Sequence, residues 1–159
     1  MMAASMPFAV ALVMVPQAMP GAAAEPEKQV VASAPQDIRW FTPAYYTDGR
    51  QRAHLRGDSS KGGEWVDRVR IPGGARVVAH THPDDEVVTV IEGTWYLGLG
   101  EKFDETKLRG YPAGSFILIP AGVPHFLATR EGPVIVQVSG RGIFRTKDVE
   151  TQRGPGGPE

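Results

Sequence analysis

Residues 74–93 read GARVVAHTHPDDEVVTVIEG, and they place His80, His82 and Glu86 beside a run of valines and an isoleucine. Imidazole and carboxylate groups set along an apolar strand cost free energy unless something pairs with them. Residues two apart on a strand share a face, so His80 and His82 point the same way. Glu86 has the same parity, although Pro83, Asp84 and Asp85 break the strand and bend the chain. Such side chains either face solvent or converge on a partner, most plausibly a metal ion.

Nearly every segment around this stretch reads as a strand. Residues 64–71 (EWVDRVRI) alternate apolar and polar side chains and end at the turn formers Pro72, Gly73 and Gly74. Residues 76–82, 86–92, 94–99, 116–119, 123–129 and 134–139 follow as strands, with residues 142–145 as a possible last one. Glu92-Gly93 fits a tight hairpin turn between the third and fourth of these. In that register Val90 faces Trp95 and Val88 faces Leu97, so Trp95 shares the inner face with Glu86 while Tyr96 points outward. No window has a helical period, apart from a turn near residues 103–107. Many short strands at close spacing indicate an all-β sandwich or small barrel.

A second segment, residues 114–125 (GSFILIPAGVPH), ends one strand and begins another through a turn at Pro120 and Gly122. His125 then enters a strand beside Phe126 and Leu127. Two strand pairs can thus deliver three imidazoles and one carboxylate into a single barrel. That donor set suits one divalent transition metal, Fe, Mn, Zn, Ni or Cu, with coordination positions left for water or substrate.

The two segments together resemble the cupin superfamily. Its first motif, G-x5-H-x-H-x3-4-E-x6-G, is met by Gly74, His80, His82, Glu86 and Gly93. Its second, G-x5-P-x-G-x2-H-x3-N, is met by Gly114, Pro120, Gly122 and His125, with Thr129 where Asn is usual. The departure falls outside the ligand set and bears on turn geometry. The resemblance implies a double-stranded β-helix, or jelly-roll barrel, with a metal held by His80, His82, Glu86 and His125.

The rest of the 159-residue chain bounds the options: one domain with a real core, at 42% hydrophobic and 22% charged residues. A net charge of −1 with no basic run makes no case for nucleic acid or an anionic membrane. Cysteine is absent, which removes disulfides, thiolate ligands and cysteine nucleophiles together. Residues 1–24 carry an apolar run, MPFAVALVMV, too short to span a bilayer, and end in the A-x-A pattern of Ala22 and Ala24. They read as a secretory signal without a basic n-region, so the mature chain is expected in the periplasm or secreted, with no stable membrane insertion. Residues 25–36 read as a linker, 37–148 as the barrel and 149–159 as a disordered Gly/Pro-rich tail. The aromatic stretch Trp40, Phe41, Tyr45 and Tyr46 can pack on its own barrel or extend a neighbour's sheet, and a homodimer is expected.

Other residues carry weaker expectations. Trp95 packs in the core or lines a substrate pocket, and Gln137, polar within VIVQVS, is a second candidate for contact with a small-molecule ligand. His54, in a polar segment, is a surface or lid residue. Asp84 and Asp85 are solvated loop carboxylates, or else hydrogen-bond partners of His82. Two functional classes stand. One is a metal-dependent enzyme on a small oxygenated molecule, of dioxygenase, decarboxylase, isomerase or lyase type. The other is a non-catalytic binding or sensing module whose metal buttresses the barrel.

Overall fold

The apolar phase of each strand is turned to a common interior. A computed structural model of the chain describes residues 30–150, and ten strands run through them. These are β1 (Gln51–Arg56), β2 (Glu64–Ile71), β3 (Arg76–Thr81), β4 (Glu86–Glu92), β5 (Thr94–Leu99), β6 (Arg109–Pro112), β7 (Phe116–Ile119), β8 (His125–Ala128), β9 (Val134–Arg141) and β10 (Lys147–Asp148). They form two five-stranded sheets, β1-β2-β9-β4-β7 and β10-β3-β8-β5-β6, with every pairing antiparallel. This is an all-β jelly-roll barrel. The leader, residues 25–29 of the linker and residues 151–159 lie outside the described residues.

The first sheet turns one face inward: Trp65, Val69 and Ile71 of β2, Val88 and Val90 of β4, and Val134, Val136 and Val138 of β9. Val77, Trp95, Leu97 and Leu127 meet them from the second sheet. The second sheet is buried on its other face as well, where Ala79, Phe126 and Ala128 pack under Phe103. Phe126 is fully buried across from Gly98, and that burial stabilises the fold by roughly 1.5–3 kcal/mol. A Cβ on Gly98 would land inside the Phe126 ring.

The expected hairpin between β4 and β5 does not form. β4 is flanked by β9 and β7, and β5 by β8 and β6, so neither has an edge free for the other. Gly93, at φ 77°, turns the chain from one sheet into the other, and a Cβ there would lie 2.7 Å from the Pro133 carbonyl oxygen. Val90 therefore pairs with Val136, and Trp95 with Tyr111. Trp95 reaches the interior all the same, because the two sheets face each other.

The polar segment around His54 contains a strand absent from those expected, β1, paired to β2. Residues 142–145 are not a strand and cross the barrel mouth, the last pairing being made by β10 with His80 and Thr81. At residues 149 and 150 the Glu150 carboxylate accepts the Phe103 amide at 2.7 Å and the Val149 amide donates to the Ala79 carbonyl at 2.9 Å. The aromatic segment packs on its own barrel. Phe41 and Arg52 exchange two backbone hydrogen bonds at 2.9 and 2.8 Å, Arg70 lies 4.3 Å over the Trp40 ring, and Tyr46 is in the core. Tyr45 remains 62% exposed.

Thr129 settles the departure from the second motif. Its buried hydroxyl accepts the Ala75 amide at 2.9 Å and donates to the Pro72 carbonyl, so the turn is closed without Asn.

Gly98→Ala should lower the unfolding free energy by roughly 1–3 kcal/mol through overpacking against Phe126. Gly132→Ala, which adds a methyl to open space, should stay within about 0.5 kcal/mol of the parent. Denaturant midpoints of the two variants against the parent decide it.

Candidate metal centre

β3 and β8 run side by side in the second sheet and pair His80 with His125. Between Val77 and His80 the register slips by a bulge. That extra residue lets both Val77 and His80 face inward at odd spacing, while Ala79 turns to the outer cluster. The bulge therefore sets the phase of the His80-Thr81-His82 segment. The ring centroids of His80 and His125 are 4.3 Å apart, those of His80 and His82 5.1 Å, and those of His82 and His125 5.3 Å. One ring nitrogen from each of the three lies within 4.8 Å of the others.

Each imidazole is held by a main-chain oxygen. Nδ1 of His80 donates to Val78 at 2.7 Å, that of His82 to Arg145 at 2.7 Å, and that of His125 to Val123 at 3.0 Å. A carbonyl can only accept, so each Nδ1 carries the proton and each Nε2 presents its lone pair. Burial pushes the pKa of all three below the ordinary histidine range. His80 falls to about 3, lowered first by loss of water and then by His125. His82 and His125 are shifted the same way, also first by burial. Neutral imidazoles are what a metal requires of its ligands.

Glu86, at the start of β4, comes from the opposite sheet. One of its carboxylate oxygens, Oε2, lies 3.6 Å from His82 Nε2 and 3.8 Å from His125 Nε2. Burial raises its pKa, against the opposing pull of His125 and Arg52. His125 Nε2 is buried with no hydrogen-bond partner. Three converging lone pairs, one of them orphaned, beside a desolvated carboxyl fit a cation better than any arrangement of the four residues among themselves.

The structure sorts the other candidates. Trp95 is 2% exposed and lines a cavity of about 560 Å³ that His80, His82 and Glu86 also line. Gln137 does not line it. Val136 and Val138 occupy the inward phase of β9, and Gln137, of opposite parity, pairs with Thr89 on the outer face. His54 lies outside the cluster and bonds Asp67 through Nδ1 at 2.8 Å. Asp84 and Asp85 are exposed. Asp85 accepts the Ala121 amide at 2.8 Å, which ties the loop after His82 to the turn before His125. Neither Asp takes the His82 proton.

Sequence reasoning missed Arg52. It is 1% exposed and lines the cavity. Asp67 answers it at 2.9 Å, with Ser59 at 2.9 Å and the Tyr46 hydroxyl at 3.2 Å. One signal was available. Asp67 shares the parity of Trp65, Val69 and Ile71, so a carboxylate stands in the buried phase of β2 and demands a cation. Phe144 and Arg145 were also missed. Phe144 stacks at 4.8 Å on His82, and Arg145 supplies the oxygen that orients it.

The fold and this cluster define a jelly-roll barrel with a candidate three-histidine metal site at its mouth. The family profile described as Cupin domain matches residues 67–139, the stretch that holds His80, His82, Glu86 and His125 in this 159-residue chain. Among solved structures it is similar to the polyketide cyclase RemF from Streptomyces resistomycificus, at 16% identity and a TM-score of 0.65, over 80% of this chain and 90% of that one. It is similar to the sugar phosphate isomerase of Silicibacter pomeroyi at 24% identity and a TM-score of 0.52, over 67% and 72%. For the DMSP lyase DddQ from Ruegeria pomeroyi the identity is 21% and the TM-score 0.52, over 66% of this chain and 56% of that one. At these identities the likeness establishes the fold alone. No curated protein matches the sequence significantly.

The shifted histidines carry a pH dependence. The unfolded chain binds protons at an ordinary histidine near pH 6.5, whereas folded His80 binds one only near about 3. Between these values the unfolded state holds more protons, so the metal-free fold should lose stability as pH falls through that window. Glu86, shifted upward, acts in the opposite sense and reduces the loss. Denaturant midpoints of metal-free protein that do not fall on acidification would contradict the assignment.

Proposed function

We propose that the chain is a metal-dependent enzyme acting on a small oxygenated molecule, with one divalent transition metal held by Nε2 of His80, His82 and His125 and by the Glu86 carboxylate. The cavity carries this reading. A barrel whose metal served only as a buttress would be plugged, whereas about 560 Å³ adjoins His80, His82 and Glu86. When bound, the ion supplies Lewis acidity to a substrate oxygen. The chain's own residues do the rest. The carbonyls of Val78, Arg145 and Val123 fix the three rings, Phe144 covers His82, and the walls of Val88, Val136 and Val138 keep water away from the reacting molecule. The cyclase, lyase and isomerase among the similar structures are enzymes built on the same fold. Decarboxylation, dioxygenation, isomerisation and elimination are all open to such a site.

The reading extends to location and assembly. The signal-like residues 1–24 favour export and metal loading outside the cytoplasm, where Zn and Cu outrank Fe and Mn for nitrogen and carboxylate donors. The apolar outer face of edge strand β7, with Phe116 67% and Leu118 51% exposed, favours a homodimer.

Full-length protein should take up one metal per chain, and at a thousandfold excess over Kd the ion should add about 4 kcal/mol to stability. His125→Ala should lose both the uptake and the thermal shift on metal addition. Turnover restored by one of Zn, Cu, Fe, Mn or Ni after reloading establishes an enzyme. Metal uptake with no turnover under any of them favours the binding or sensing module instead. Equal metal content in His125→Ala and parent ends the reading.

A further inference from the structure

Hydrogen-bond bookkeeping inside the cavity points to the charge of its ligand. Two buried donors on lining side chains have no acceptor, Arg52 Nε and Trp95 Nε1. An unanswered buried donor is costly, and at a cavity wall a ligand can answer it. Arg52 is not short of anchorage. Its Nη1 meets Ser59 and Asp67, its Nη2 meets Tyr46, and its guanidinium lies 4.2 Å from the Phe144 ring centre. These contacts hold the group still and leave Nε without an acceptor, while Nη2, beside it on the edge that can take a carboxylate with two parallel bonds, keeps a second hydrogen beyond its bond to Tyr46.

The charges at the site lean the same way. Arg145 and Arg50, the latter ion-paired with Asp48 at 2.7 Å, line the cavity with Arg52. Against them stand Glu86, assigned to the metal, and Asp148, on the exposed strand β10. Asp67 divides its two oxygens between Arg52 and His54, at 2.9 and 2.8 Å. A neutral oxygen could accept from Nε, but a carboxylate offers this edge two acceptors and a negative charge, and a second cation would oppose it.

We propose that the cavity receives a small carboxylic acid in its carboxylate form, and that Arg52 is the residue that selects it. Trp95 offers a further donor to an acceptor atom elsewhere on the same molecule. The proposal rests on the reading that substrate enters this cavity beside the metal, and it names the substrate class. Arg52 acts here as a specificity residue, not as a proton donor.

Monocarboxylates from propionate to 3-phenylpropionate, each paired with its primary amide, test it on zinc-loaded full-length protein by calorimetry and thermal shift. At least one acid should bind tenfold or more tightly than its amide. Arg52→Gln combined with Asp67→Asn removes both charges without stranding either, and it should keep the zinc stoichiometry while binding acid and amide alike. No preference for any acid in the parent overturns the proposal. So does a preference that survives in the double variant, since the carboxylate would then sit on the metal and Arg52 would be a structural ion-pair partner. Should the double variant fail to fold, Arg52→Lys keeps the charge and loses the paired edge; its acid preference should drop severalfold, and an unchanged preference overturns the proposal. Zinc stoichiometry reads the metal site separately. If the parent takes up no zinc the metal reading fails, and the acid–amide comparison on metal-free protein still decides the role of Arg52.

Discussion

The three imidazoles share one region of the barrel because each has its Nδ1 proton held by a main-chain carbonyl. Those bonds settle the tautomer and the direction of every Nε2 lone pair before any ion arrives. They also explain how burial of three histidines is tolerated, since each keeps one strong hydrogen bond and none carries a charge. Two of the three carbonyls lie two residues before the ring they orient, on Val78 and Val123. The third, on Arg145, comes from the segment that crosses the mouth. Closing the C-terminal crossover and aiming His82 are one event.

A second constraint stands beside the first. Arg52 and Asp67 form an ion pair in which neither side chain is more than 2% exposed, and desolvation can cancel what their attraction contributes. Well-packed hydrophobic residues of similar volume often replace such a pair without loss of stability. The pair is therefore poorly explained by stability and well explained by the cation it keeps at the cavity wall. Its charge reaches the histidine cluster too, adding to burial in lowering the pKa of His82 and opposing the rise that burial gives Glu86.

The sheet that carries the histidines is buried on both faces, which makes it a stiff platform. Phe126 and Ala128 alternate with His125 and Leu127 along β8, and all four are buried. The outer cluster is closed by Phe103, and Glu150 ties the loop of Phe103 to β3. Gly98 is required there because Phe126 occupies the space of its side chain. The bulge in β3 then divides adjacent residues between the two faces, sending Ala79 to one and His80 to the other.

Much of this was legible in the chain. Period-two alternation marks β2, β4, β5, β7 and β9, and the same parity puts His80 and His82 on one face. The spacings around Gly74 and Gly114 bring in His125 and Glu86, and Asp67 on an apolar phase signals a buried charge without saying what answers it. Alternation is a local property, so the sequence by itself determines strands, faces and donor types. It does not determine which strand lies beside which. That is why the β4–β5 hairpin failed, why Gln137 turned out to face away from the cavity, and why β1 was not among the expected strands. Only sheet closure decided that Arg52 reaches Asp67, that the Arg145 carbonyl orients His82, and that open space remains beside the histidines, because each depends on contacts between residues far apart in the chain.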